Sequence, residues 1–210
     1  MEEVDVISLD FAGTLVTMDM IDYFWNEAIP RHHAKEKGIS LEEAKEFVLS
    51  EYDKIGMKDL RWYLPRYWLD RFKLKVSIEE LLRESLRHLK VFEDARKALP
   101  KITSKFTTII VSNASREFIE AFLEHEKIKI DKVFSTVTDL GVISKTPEVY
   151  KKIGKEMDNR KILHIGDDFV QDFINPRVAG WRSLLLNREA SDRKGGDVIS
   201  SLEELVAQII

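Results

Sequence analysis

The stretch VDVISLDFAGTLV, residues 4–16, decides the fold. Its first half, Val4 to Leu9, is mostly apolar, as expected of a strand buried inside a parallel sheet. Asp10 follows at the end of this predicted strand, and α/β proteins place their ligands at the carboxyl ends of the strands. Gly13 permits a sharp turn and a close approach of backbone to a ligand, and Thr14 adds a hydroxyl group. The stretch therefore predicts a first strand that carries an aspartate at its functional edge.

The next ninety residues are helical in pattern. They predict helices over residues 20–37, 40–52, 58–72 and 77–89. Two of these helices begin with a serine that is followed three residues later by a glutamate, Ser40 with Glu43 and Ser77 with Glu80. That spacing is the capping box, which starts a helix by satisfying its first backbone N–H groups.

From residue 107 the chain alternates between strand and helix patterns. The predicted strands cover residues 107–112, 132–137, 161–166 and 182–187, and the predicted helices cover 115–125, 147–157 and 170–178, with a last helix capped by Ser200 with Glu203. This alternation predicts an α/β fold, a doubly wound parallel sheet with right-handed crossovers. The expected domains are an α/β core of residues 1–16 and 91–210 and a helical cap of residues 17–90.

Two further sites can bind an anion at the strand ends. Ser112 ends a predicted strand, and its hydroxyl can donate to a phosphate oxygen. Asn113 follows it and supplies a backbone N–H near a helix start, where anions bind readily. Lys145 precedes a helix that starts with Pro147, so that it could reach the same anion and balance the charge of Asp10.

The sequence KILHIGDDFVQDF, residues 161–173, supplies the acidic site. A predicted strand ends at Gly166, and Asp167, Asp168 and Asp172 follow. Carboxylates gathered at one sheet edge repel one another unless a cation lies among them, and hard oxygen ligands select Mg²⁺. A solvated acidic helix start, which the helix dipole favours, explains Asp168 better than Asp167.

Taken together, the four sites resemble the motifs of the haloacid dehalogenase-like hydrolase superfamily. Asp10 with Thr14, Ser112, Lys145, and Asp167 with Asp172 occur in the order in which that superfamily carries them. The resemblance implies that the first, second and fourth strands lie side by side. It also implies that Asp10 attacks phosphorus, that Ser112, Asn113, Lys145 and Thr14 contact the substrate, and that Lys145 and Ser112 assist catalysis. Mg²⁺ would be held by Asp10, by the backbone carbonyl of Ala12 and by Asp167.

Ala12 is the departure from the phosphatase pattern, which has a second aspartate at this position. A backbone carbonyl needs no particular side chain, so the implied metal site survives. The carboxylate that would protonate the leaving group is lost, and such general acid–base help contributes about 10²–10⁴ in rate. We therefore expect a magnesium-dependent phosphatase that acts on a small phosphorylated metabolite through an aspartyl-phosphate.

Two alternatives remain open from the sequence. The phosphonoacetaldehyde hydrolases share the pattern Asp-x-Ala-Gly-Thr and form an imine on a cap lysine, for which Lys58 is the candidate, although a surface lysine is the simpler interpretation. The other alternative is a binding module that keeps a phosphate-ester pocket without turnover. The haloacid dehalogenases also lack the second aspartate, but they bind no metal, and the acidic cluster argues against them.

The helical segment is rich in aromatic residues. They are Tyr23, Phe24, Trp25, Trp62, Tyr63, Tyr67, Trp68 and Phe72. At helical spacing most of them are expected in a core between helices, while some could face the cleft. His32 or His33 could replace the missing acid, although surface positions are expected for this pair.

The composition excludes several other classes. There are no cysteines, hence neither disulfides nor zinc–thiolate sites, and a net charge of −4 gives no electrostatic footprint for nucleic acid. No apolar stretch approaches a membrane span, and residue 1 begins no leader pattern. We expect a cytoplasmic monomer or homodimer without nucleic-acid or membrane partners. Its 33% of charged residues is a pattern that leans toward a heat-adapted source.

Overall fold

A six-stranded parallel sheet forms the centre of the molecule in the computed structural model, which describes residues 4–189 and 196–209. The strands are β1 (Val6–Leu9), β2 (Thr107–Ser112), β3 (Lys132–Ser135), β4 (Ile162–Gly166), β5 (Arg182–Leu186) and β6 (Val198–Ile199). Their order is β3-β2-β1-β4-β5-β6, and every neighbouring pair is parallel. The predicted doubly wound α/β sheet is confirmed, and so is the placement of β1 between β2 and β4. The two-residue strand β6 was not predicted.

Ten α-helices are present in the part of the chain that the structure describes. They are α1 (Asp19–Tyr23), α2 (Ile29–Lys37), α3 (Leu41–Ile55), α4 (Pro65–Phe72), α5 (Ile78–Ser85), α6 (Glu93–Lys105), α7 (Arg116–Glu126), α8 (Pro147–Glu156), α9 (Asn175–Val178) and α10 (Leu202–Ile209). The first six lie between β1 and β2, and the first five of them fall within residues 17–90, which we call the helical insert. Across residues 4–189 and 196–209, none of the helices has both the length and the apolar character that crossing a bilayer requires.

The local signals for helix starts were partly correct. Both predicted capping boxes are present, at the starts of α3 and α5. The prediction of Ser200 with Glu203 is wrong by one position, because the hydroxyl of Ser201 accepts the bond from the Glu204 N–H. The structural reason is that α10 begins at Leu202, which makes Ser201 the residue that precedes it.

Proline positions explain two other differences from the predicted helices. The single helix expected over residues 58–72 is instead a 3₁₀ turn, Leu60–Tyr63, followed by α4. Leu64 between them is extended, as the residue before a proline prefers to be. Helix α6 was missed although it has thirteen residues, and Pro100 lies inside it. Pro100 is exposed, so water can satisfy the carbonyl that loses its helical partner.

Alternate residues of the strands pack into two separate hydrophobic clusters. Ile7 and Leu9 face the larger cluster, which includes side chains of α6, α7, α10 and the helical insert. Val6 faces the smaller cluster, to which α8 contributes Tyr150 and Ile153. Because the larger cluster runs from the sheet into the insert, the two share one core, and the division into domains stays a prediction.

The aromatic residues of the insert form much of its own core, as expected. Trp68 is fully buried, and its ring lies 4.5 Å from that of Tyr52 and 5.4 Å from that of Phe72 between centroids. Phe24 extends this packing to the α/β core, with its ring centroid 4.9 Å from that of Phe118 in α7. Phe24 begins a π-helical turn, Phe24–Ala28, that lies just ahead of Pro30.

The chain enters and leaves the insert side by side. Val16 pairs with Val91 in an antiparallel bridge. Two backbone bonds flank this bridge, from the Thr17 N–H to the Lys90 carbonyl at 2.9 Å and from the Phe92 N–H to the Leu15 carbonyl at 3.0 Å. We call these paired segments, residues 15–17 and 90–92, the connecting ribbon.

Two tryptophans of the insert should differ sharply in their effect on stability. Replacing buried Trp68 by alanine should lower the free energy of unfolding by about 3–5 kcal/mol, because it leaves a large cavity. Half-buried Trp62 is the matched control, and Trp62→Ala should cost less than about 1.5 kcal/mol, since its loss leaves no enclosed cavity. Chemical denaturation of both variants measures the difference, and equal losses would contradict this account of the insert's core.

Candidate active site

The carboxyl ends of three neighbouring strands bring the predicted residues together. Asp10 follows β1, Ser112 ends β2, and Asp167 follows β4. All three line one cavity of about 310 Å³. Ala12, Asn113 and Lys145 also line it, so six of the seven predicted site residues share this cavity.

The turn after β1 is shaped by Gly13 and held by Arg188. Gly13 has a φ of +89°, and a Cβ placed on it would lie 2.3 Å from a carboxylate oxygen of Asp167, so a side chain cannot be accommodated there. Arg188 donates to the carbonyls of Gly13 and Thr14 at 2.9 and 2.8 Å. The turn therefore brings the backbone against Asp167 and fixes it in place.

Thr14 is the one predicted site residue that does not line the cavity. It is fully buried, and its hydroxyl donates to Oδ1 of Asp167 at 2.9 Å. Its predicted contact is with substrate, whereas the contact in the structure is with Asp167. The hydroxyl therefore orients a carboxylate that lines the cavity.

Lys145 is buried between two carboxylates. Its Nζ lies 2.6 Å from Oδ1 of Asp10 and 2.5 Å from Oδ1 of Asp172. Its backbone is held at both ends, since its N–H donates to the Gln171 side chain at 3.1 Å and its carbonyl accepts from Asn175 at 2.8 Å. The shortened motif Lys145-Thr146-Pro147 thus still delivers the lysine to Asp10, as the sequence predicts.

Asp172 is held from the other side by a chain of buried polar groups. His164 Nε2 lies 2.9 Å from Oδ1 of Asp172, and His164 Nδ1 lies 2.8 Å from the Ser8 hydroxyl. Tyr150 completes the chain, with its hydroxyl 3.1 Å from His164 Nε2. Burial lowers the pKa of His164, which favours the neutral ring, and in that form its contact with Asp172 assigns the proton to Nε2. Asp172 is therefore fixed toward Lys145.

Three carboxylates meet in the site, and Lys145 lies beside two of them. Each of Asp10, Asp167 and Asp172 offers one carboxylate oxygen, and these three oxygen atoms lie within 4.8 Å of one another. Burial raises the pKa of Asp10 to about 7, because desolvation and the negative charge of Asp172 outweigh the attraction of Lys145. Burial also raises the pKa of Asp167. Asp172 is buried too, but Lys145 and His164 hold its pKa well below the usual range.

The segment after β2, where the sequence predicts an anion site, forms one side of the cavity. The Ser112 Oγ accepts a bond from the Ala114 N–H at 3.3 Å, which leaves the hydroxyl proton available to a ligand. Asn113 is held through its side chain, which donates to Gln171 at 2.8 Å and accepts from Thr136 at 2.8 Å. Gln171 therefore connects the Ser112 segment to the Lys145 segment, a role that the sequence did not reveal.

Neither His32 nor His33 lines the cavity. His32 pairs with Glu84 at 2.9 Å, and His33 is buried with its ring stacked on Phe47. Neither is placed to replace the missing acid. Lys58 is exposed and lies outside the cavity lining, as expected of a surface lysine.

The insert contributes a different set of residues to the cavity. They are Met18, Ile21, Asp22, Trp25, Trp62 and Tyr63. The aromatic members were among the candidates for the cleft. Asp22 was missed, because an aspartate in the first turn of a helix ordinarily serves the helix start. Asp168, in contrast, matches its simpler interpretation, since its carboxylate accepts from the N–H groups of Val170 and Gln171.

The parallel sheet and the acidic site at its carboxyl edge are typical of α/β hydrolytic enzymes, and comparison with known proteins identifies the family. The haloacid dehalogenase-like hydrolase family matches residues 4–179. The chain belongs to this family, and the prediction of a hydrolase of this superfamily is confirmed.

Two nucleotidases are similar to this chain in sequence. The GMP/IMP nucleotidase YrfG of Escherichia coli (strain K12) is 29% identical over 143 residues, which cover 65% of this chain and 62% of that protein. The nucleotidase of the same name from Shigella flexneri matches equally. The matched part of the chain thus spans less than two thirds of the length of these relatives.

Solved structures share the whole fold. A HAD phosphatase from Thermococcus onnurineus superposes with a TM-score of 0.72 at 22% identity, over 98% of both chains. A 2-haloacid dehalogenase from Pseudomonas syringae pv. Tomato DC3000 gives a TM-score of 0.63 at 17% identity, over 98% of this chain and 99% of that one. The magnesium-bound HAD-hydrolase YfnB from Bacillus subtilis gives 0.62 at 16% identity, over 99% of both chains. These likenesses establish the fold.

The raised pKa of Asp10 predicts how stability depends on pH in metal-free buffer. Folded Asp10 holds its proton more tightly than unfolded Asp10, whose pKa is 3.8. Its stabilising contribution is therefore fully present below pH 3.8 and is lost as the pH rises through about 7. Asn cannot lose this proton, so Asp10→Asn removes the loss. As the pH rises from 5 to 8, the free energy of unfolding of the variant relative to that of the wild type should therefore increase by about 1–3 kcal/mol.

Thermal unfolding in EDTA at both pH values measures this gain. Glu46→Gln, at an exposed position of α3, is the control and should show no such gain. If the stability of Asp10→Asn and that of the wild type change in parallel from pH 5 to pH 8, the raised pKa of Asp10 is contradicted.

Proposed function

We propose that this chain is a magnesium-dependent phosphatase that hydrolyses a small phosphorylated metabolite through an aspartyl-phosphate on Asp10. The observation that carries the proposal is the buried Asp10, 2.6 Å from Lys145 at the meeting point of three strand ends. A nucleophile that must attack a dianionic ester needs such a cation beside it, and the Ser112 hydroxyl proton can bind a phosphate oxygen in the same cavity.

The residues present fit a divalent metal ion. Asp10 and Asp167 line the cavity with hard oxygen atoms, and their oxygen atoms and one of Asp172 lie within 4.8 Å of one another, so that negative charge is crowded there. These two carboxylates and the backbone carbonyl of Ala12 would hold Mg²⁺. When bound, the ion would neutralise the charge that develops on the transferring phosphoryl group.

In the proposed first step Asp10 attacks phosphorus and the bond to the leaving oxygen breaks. Lys145 remains beside Asp10 and offsets the negative charge of the phosphoryl group. Asp172 keeps Lys145 in place, because His164 orients it from behind. In the second step water attacks the phosphorus of the aspartyl-phosphate and releases inorganic phosphate.

The alternative imine reaction receives no support from the cavity. Lys145 is the one lysine among its lining residues within the described parts of the chain, and it belongs to the α/β core. Lys58, the candidate in the insert, is exposed and outside the lining. The acidic cluster likewise supports the metal-dependent phosphatase over a metal-free dehalogenase.

The substrate class that we propose is a nucleoside monophosphate. Two observations support it: the relative named GMP/IMP nucleotidase and an aromatic wall in the cavity, formed by Trp25, Trp62, Tyr63 and Phe118. The rings of Trp25 and Trp62 lie 6.3 Å apart between centroids, tilted by 33°. The half-buried indole of Trp62 is placed to stack on a nucleobase, and such stacking contributes about 1–3 kcal/mol per base.

Asp10→Asn should abolish turnover of p-nitrophenyl phosphate in the presence of Mg²⁺, because the amide cannot act as the nucleophile. Steady-state release of p-nitrophenol measures this, with circular dichroism to verify folding. Excess EDTA should abolish the wild-type activity, and added Mg²⁺ should restore it. Full activity of the variant, or full activity in EDTA, would refute the proposal, and a burst of product without turnover would favour a binding module.

Trp62→Ala should raise the KM for GMP about tenfold, because the loss of one stacking partner corresponds to about 1.4 kcal/mol. Glycerol phosphate has no ring to stack, so its kcat/KM should change less than about twofold. Tyr67→Ala, an aromatic change outside the cavity lining, serves as the control. An unchanged KM for GMP, or equal losses for both esters, would contradict nucleobase binding at this wall.

A further inference from the structure

Asp22 is the carboxylate that the helical insert contributes to the cavity. It lies in α1 and lines the same 310 Å³ space as Asp10 and Ala12. The cavity is small, so a phosphate ester bound at Asp10 brings its leaving group against the insert.

Asp22 lies close to the point where the insert meets the α/β core. It belongs to α1, and the π-helical turn that follows carries Trp25, whose ring is in contact with that of Phe118 in α7, 6.0 Å apart between centroids. Ser115, the residue that precedes α7, lines the cavity together with Asp22, Trp25 and Phe118. Asp22 thus lies on the side of the cavity where the insert and α7 come together.

Asp22 also differs from the other carboxylates of the cavity in having no partner. Asp10 and Asp172 share Lys145, Asp167 accepts from Thr14, and Asp168 accepts from backbone N–H groups. Within residues 4–189 and 196–209 the Asp22 side chain makes no hydrogen bond or ion pair. Asp22 is exposed where it lines the cavity, and its partial desolvation together with the nearby charge of Asp19 raises its pKa, which favours the protonated form. A carboxyl group in this state is suited to give a proton and take it back.

We propose that Asp22 is the general acid and base of the reaction, in the role that the side chain of Ala12 cannot fill. This inference rests on the proposed phosphatase function. It also explains how the chain can act on poor leaving groups without a carboxylate next to the nucleophile.

The proton balance is complete within two steps. As Asp10 attacks phosphorus and the P–O bond to the leaving group breaks, Asp22 gives its proton to the departing oxygen, and the free alcohol leaves. Asp22 is then a carboxylate. As water attacks the phosphorus of the aspartyl-phosphate, Asp22 takes a proton from that water, and Asp10 and inorganic phosphate are released.

The test compares leaving groups in Asp22→Asn. For an alkyl ester, glycerol phosphate, the single-turnover rate should fall about 100-fold or more, because the alkoxide needs a proton to leave. For p-nitrophenyl phosphate the first step should change less than about threefold, since the phenolate leaves unaided. A burst of p-nitrophenol followed by slow turnover should appear, because the second step lacks its base.

Two further variants make the test specific. Asp53→Asn is the matched control, since Asp53 is an exposed aspartate of α3 in the same insert and is not a lining residue. It should leave both esters within about threefold of wild type. Ala12→Asp, introduced into the Asp22→Asn background, should restore at least about tenfold of the lost rate for glycerol phosphate.

Three results would overturn the inference. They are a glycerol phosphate rate in Asp22→Asn within about threefold of wild type, equal losses in the single-turnover rates of both esters, and no rescue by Ala12→Asp in a folded double variant. If Asp10→Asn is inactive while any of these holds, the phosphatase proposal survives and the role of Asp22 does not. Activity in Asp10→Asn would remove both.

Discussion

The placement of one lysine between two buried carboxylates is the interaction on which the rest of the site depends. A buried ammonium group is stable only when it is paired and hydrogen-bonded, and Lys145 meets both Asp10 and Asp172 at hydrogen-bonding distance. The three residues come from distant parts of the chain, so their pairing joins the end of β1 to the segments before α8 and α9. If one of these pairs is broken, Lys145 keeps the other carboxylate as its partner.

The same arrangement gives the three carboxylates different tasks. Asp172 is bound by both Lys145 and His164, which keeps it ionised and directed toward the lysine. Asp167 has no cationic partner at bonding distance within the described residues, and its oxygen atoms lie against the glycine turn. The positive charge of Lys145 therefore offsets only part of the negative charge of the three carboxylates. The negative charge that remains makes the cavity suited to a divalent cation.

Much of the fold followed from local patterns, whereas several parts of the site did not. The apolar strands and the two capping boxes depend on neighbouring residues, which the sequence displays directly. Helix α6 was missed because Pro100 ordinarily interrupts a helix, and only its exposed position makes it harmless. The positions of Asp10, Ser112, Lys145 and Asp167 could be predicted because parallel strands end at one edge. Gln171 and Asp22 could not, because their roles depend on how distant segments pack.

The connecting ribbon has a mechanical consequence for the insert. Its two chain segments are bonded to each other, so the insert is attached to the sheet at one paired joint instead of at two independent tethers. Such a joint resists sliding and twisting, because either movement would break the bonds between residues 15–17 and 90–92. Bending about the ribbon would leave these bonds in place, and it would shift the contact between Phe24 of the insert and Phe118 of α7. Since α1 begins two residues beyond it, a small bend would swing Met18, Ile21 and Asp22 together toward or away from the strand ends.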